Sequence, residues 1–94
     1  MDFSALPGGD LVARGLEDLG AGRETAESLL VLIGRPRLAL LGITFELPGW
    51  APAIAEHRLY ERLAEEDSDS AHGRYNALIR RLVSFERAAA CVAP

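Results

Sequence analysis

From residue 71 to residue 92 the apolar side chains recur four and three apart without a miss: Ala71, Tyr75, Leu78, Leu82, Phe85, Ala89 and Val92. At about 3.6 residues per turn, side chains so spaced share one face of an α-helix, whereas a strand would need a period of about two. Ile79 and Val83 widen the stripe beyond a two-stranded coiled-coil seam, which suits a bundle helix. A helix of about 22 residues is about 33 Å long. A compact chain of 94 residues is only about 30 Å across, so the last turn of this helix must lie at an edge.

One such helix needs others to cover its apolar side. The length fits one domain over residues 1–94, with a single modest core. With 49% apolar and 26% charged residues, the composition is that of a globular chain rather than a disordered one. Leu6-Pro7-Gly8-Gly9 reads as a turn, after which Asp10 is the expected N-cap of a helix to about Leu19. Leu11, Val12, Leu16 and Leu19 form its stripe, Gly15 weakens it by about 1 kcal/mol, and Gly20-Ala21-Gly22 stops it.

Thr25 caps a second helix running to Ile33, with Glu27 in its first turn. Leu29-Leu30-Val31-Leu32-Ile33 is apolar all round, so this piece should be buried on most sides. Gly34 stands where a terminating glycine belongs and Pro36 where a new helix begins, so a short third helix is expected over Pro36–Leu41. The competing reading is a hairpin within 29–45, because short apolar runs are ambiguous between helix and buried strand. The Thr25-Ala26-Glu27-Ser28 start favours helix.

Residues 43–52 keep no period; Leu47-Pro48-Gly49 is a turn and Trp50 is expected as a lid over the core. A helix resumes from Ala53 to about Glu66, with Leu59, Tyr60 and Leu63 inward and Arg58–Glu61 and Arg62–Glu66 as solvated pairs. Asp67-Ser68-Asp69-Ser70 breaks and restarts it. The expected fold class is all-α: a small bundle of four to five helices with a long C-terminal amphipathic helix, the alternative being α+β with the hairpin.

Charge is segregated along the chain. Residues 51–70 hold six acids against two arginines, and residues 71–94 four arginines against one acid. Arg74, Arg80, Arg81 and Arg87 are assigned to one side of the long helix, and none has an acid three or four residues away. They are the candidate binding residues, with His72. Their partners are either the acidic segment before them, over residues 56–69, or another molecule. The net charge of −4 argues against non-specific nucleic-acid binding by the whole surface.

No pattern points to catalysis. The serines lack a nucleophile frame, and neither glycine cluster opens a phosphate-binding helix. The single Cys91 excludes an internal disulfide and a thiolate cluster, and it reads as a small hydrophobe. His57, Glu61 and His72 would make a metal site only if they converged, which their spacing does not force. His72-Gly73-Arg74-Tyr75-Asn76 gathers polar groups at a helix start, where an anion can sit. The plainer reading has Tyr75 in the core, Asn76 and His72 on the wet side, and Gly73 admitting a neighbouring helix.

Met1-Asp2-Phe3 has neither a basic nor an apolar leader region, and no run is long enough to span a bilayer. A cytoplasmic protein away from membranes is expected, with no cofactor and no metal. The leading functional expectation is a non-enzymatic protein–protein interaction module, either a homo-oligomer or the partner of another small protein. The alternative is a small nucleic-acid-binding or nucleic-acid-processing protein using the arginines.

Overall fold

The computed structural model describes residues 3–92, so Met1-Asp2, read above for a leader, lies outside the described residues. A 3-10 turn over Phe3–Ala5 precedes four helices: α1 (Gly9–Gly20), α2 (Ala26–Leu40), α3 (Ala55–Glu66) and α4 (Ala71–Val92). No strand occurs among the described residues, and the hairpin alternative falls. No helix there is long and apolar enough to cross a membrane. The Cα envelope measures 41 × 28 × 18 Å, with a radius of gyration of 12.9 Å.

Successive helices run back along one another. α1 ends at a turn in which the Gly22 N–H bonds the Leu19 carbonyl and the Arg23 N–H bonds that of Asp18. This wrap needs a left-handed residue, supplied by Gly22 at φ 75°. Thr25 then caps α2 in a reciprocal pair with Ser28, at 3.1 Å and 2.8 Å. Gly15, read above only as a weak point, is where α1 crosses α2. An added Cβ there would collide with the Glu27 carbonyl and stand 2.7 Å from Val31 Cγ1.

Two expected boundaries in the first half of the chain are corrected. Asp10 is not the N-cap of α1; Gly8 is, with φ 73° and no side-chain cap. Gly8 sits against the backbone of Arg81 in α4, where a Cβ would clash with the carbonyl oxygen. The helix therefore starts two residues early, and Asp10 lies in its first turn. The second correction is that α2 does not stop at Gly34. It continues through Pro36 to Leu40, merging the two short helices that were expected. Gly34 is buried with Leu82 of α4 packed on it, so it serves a helix crossing, and no positive φ is found there. The stop comes at Gly42, φ 85°, where the Ile43 N–H bonds the Leu38 carbonyl and the Gly42 N–H that of Ala39.

α3 starts at Ala55 rather than Ala53 and returns along α2; Leu59 and Leu63 are buried as expected, but Tyr60 is exposed. Its Arg58 and Arg62 reach Glu24, just before α2, at 2.8 Å and 3.2 Å. Arg58 also engages Glu65 at 3.1 Å and Glu61 at 3.9 Å, whereas Arg62 takes Glu24 rather than Glu66. α4 has the expected limits. Ala71, Leu82, Phe85 and Ala89 of its stripe are buried with Leu29–Leu32, Leu38, Leu59 and Leu63 in one core. The amino-terminal turn closes one end, the Phe3 and Phe85 rings meeting edge to face at 5.9 Å. Trp50 packs half-buried against this core as the expected lid.

Candidate functional site

The four arginines of α4 do not form one face. At about 100° per residue, Arg74 and Arg81 fall on one row and Arg80 and Arg87 on another, more than about 100° away. The first row is neutralised within the chain. Arg74 meets Glu66 at the end of α3, and Arg81 meets Asp10 in α1, both at 2.8 Å. The acidic segment thus supplies one partner, but the other comes from α1, far away in sequence. Burial works to raise the pKa of Asp10, but the hydrogen bond and charge of Arg81 outweigh it and hold the carboxyl below its ordinary value. Arg80 and Arg87 have no acidic partner among the described residues.

His72 is exposed at the start of α4 and lies 3.2 Å from Asn76 Nδ2. Its ring stands 6.4 Å from Tyr60, whose ring lies 5.7 Å from Tyr75. Nothing lies within 4 Å of a Cβ built on Gly73, so no neighbouring helix uses the space it leaves. Among the described residues no group of three His, Cys, Asp or Glu is placed to hold a metal. Cys91 is exposed.

One of several concave features of the surface lies between α2 and the second half of α4. Ile79 and Val83, which widen the apolar stripe, turn toward this seam and stay half-buried. An open groove of about 350 Å³ between Arg37, Leu40 and Leu41 on one side and Val83, Arg87 and Ala90 on the other has Glu86 in it. A second hollow of about 240 Å³ extends it toward Ile33, Gly34 and Ile79, sharing Arg37, Val83 and Glu86. Leu40, in the last turn of α2, is 88% exposed at its rim. Burial raises the Glu86 carboxyl above its ordinary pKa, only partly offset by the charge of Arg37. Neither Leu40 nor Glu86 was a sequence candidate; the signal that could have found the groove was the pair Ile79 and Val83.

The groove offers apolar contact edged with positive charge and has no nucleophile, paired acid–base or metal ligand set. Comparison of the chain with protein-family models, curated proteins and solved structures yields no match.

Proposed function

We propose that the chain is a non-enzymatic docking module that holds another protein chain on the α2–α4 groove. The observation that carries this reading is Leu40, a large aliphatic side chain 88% exposed beside a groove continuous with the core. Leaving such a residue in water forgoes about 1.5–3 kcal/mol of burial, and apolar surface gathered in a polar-rimmed groove is the usual form of a helix-docking site. Because Leu40 makes little contact within the chain, the uncharged Leu40→Gln leaves the fold intact and removes the apolar contact. The test is purification from source cells, with light scattering, of the chain and of this variant. A stoichiometric companion or self-association lost in Leu40→Gln is expected; a strict monomer without companion in both sinks the proposal.

A second reading, nucleic-acid binding, is favoured by Arg80 and Arg87, a heptad apart and without acidic partners among the described residues. It requires affinity for RNA or DNA that falls with salt and with replacement of these arginines by alanine. Absence of binding at low salt removes it.

A further inference from the structure

We infer that the α2–α4 groove takes an amphipathic helix of a different protein, one whose flanks are acidic. This rests on the docking reading above and adds the nature of the occupant. The seam runs from Ile79 to Ala90 along α4, a length of about 17 Å. That accommodates three turns of a docked helix presenting apolar residues three and four apart. Both edges are basic. Arg37 stands on the α2 side and Arg87 on the α4 side. Arg80 lies one heptad before Arg87 on the same edge of α4. None of the three has an ion pair among the described residues; Arg37 acts only at longer range on Glu86, and Arg80 and Arg87 have no acidic partner there, which leaves them open to an incoming carboxylate.

The same charges disfavour a second copy of this chain. Two copies joined groove to groove would bring arginines against arginines, with only Glu86 in each to offset them. The acidic helix α3 of another copy is a poor substitute, because three of its four acids, Glu61, Glu65 and Glu66, already engage Arg58 and Arg74, leaving Glu56 alone. That contact would also be heterologous, building a ring or an open chain rather than a closed pair. Nucleic acid fits less well, since no aromatic side chain lines the groove for stacking and its lining is largely aliphatic.

The test is selection of helical peptides from a displayed random-flank library on the intact chain, after depletion on folded Leu40→Gln, which adds no charge to the groove. Survivors are then measured by fluorescence anisotropy. Acid-flanked helices with apolar residues at i, i+4 and i+7 are expected. Their affinity should fall at least about tenfold with Arg37→Ala plus Arg87→Ala and weaken with salt. Survivors with basic or neutral flanks, an empty selection, or displacement of a bound peptide by an RNA or DNA oligonucleotide each overturn the inference. Self-association that depends on Leu40 and resists every peptide overturns it while leaving the docking reading standing. Loss of both self-association and every companion removes the two together.

Discussion

The Thr25 hydroxyl donates to Asp18 Oδ2 at 2.6 Å, tying the end of α1 to the cap of α2. Asp18 is 2% exposed, and its other oxygen accepts from Arg23 Nη2 at 2.9 Å and Nε at 3.2 Å. A carboxylate in the last turns of a helix is badly placed for the helix dipole; here Arg23 and Thr25 supply the compensation. The Thr25 hydroxyl is engaged on both sides, since it also accepts from the Ser28 N–H.

Acid should therefore weaken the fold through this junction. The hydrogen bonds of Thr25 and then Arg23 outweigh burial and hold Asp18 below its ordinary value of 3.8. Glu24, held chiefly by Arg58, is lowered too. A carboxylate whose folded pKa is depressed contributes stability that is complete above the unfolded value and is lost as pH falls through the folded one. Thermal melts should show the midpoint dropping from about pH 4 downward. Asp18→Asn should be less stable than the parent at pH 7 and should flatten that drop. A variant as acid-sensitive as the parent would remove Asp18 from the account.

Thr25→Ala removes both the cap and the donor to Asp18. A loss of about 1–2 kcal/mol is expected, at the upper end for a cap, and Thr25→Ser should recover most of it by keeping the hydroxyl. Denaturant unfolding of the three proteins checks the order. If alanine and serine are equally stable, the hydroxyl contributes nothing.

How much of this was legible in the sequence differs by element. α4 was readable to its ends because its stripe repeats for six turns and no alternative period fits it. The end of α2 was not, since Gly34-Arg35-Pro36 is locally indistinguishable from a stop and restart. What overrides it is Leu82, far along the chain, packing on Gly34. The same error hid Leu40, whose outward direction is fixed only once α2 is continuous and phased by buried Leu38. Asp10 was misassigned because the start of α1 is set by the contact of Gly8 with Arg81, invisible to any local rule. Asp18 carries no local sequence signal, because its partners are delivered by the turn that follows it. Treating the arginines as one face ignored that spacings of six and seven residues lead to different rows.

Two glycines give opposite expectations for one substitution. Gly15→Ala drives a methyl into the Glu27 carbonyl at the α1–α2 crossing and should cost about 1–3 kcal/mol. Gly73 is helical and exposed with open space around its Cβ position, so Gly73→Ala should stabilise by about 0.5–1 kcal/mol through helix propensity alone. For a chain of this size each kcal/mol moves the melting midpoint by about 4–8 °C, which calorimetry resolves. A destabilising Gly73→Ala would mean that its backbone is needed as it stands.

Glu86 supplies the pH signature of the groove, with the sign reversed from that of Asp18. Burial raises its folded pKa above the ordinary 4.5, and Arg37 offsets this only in part. The carboxyl is therefore easier to bury protonated. Its relative stabilisation is complete below the unfolded value and is lost as pH rises through the folded one, leaving a penalty at neutral pH. Glu86→Gln keeps the shape and cannot ionise, so it should raise the melting midpoint at pH 7 and do little at pH 4. Melts of parent and variant at the two pH values decide it. A glutamine variant less stable at pH 7 would show that the ionised carboxylate is already satisfied within the chain.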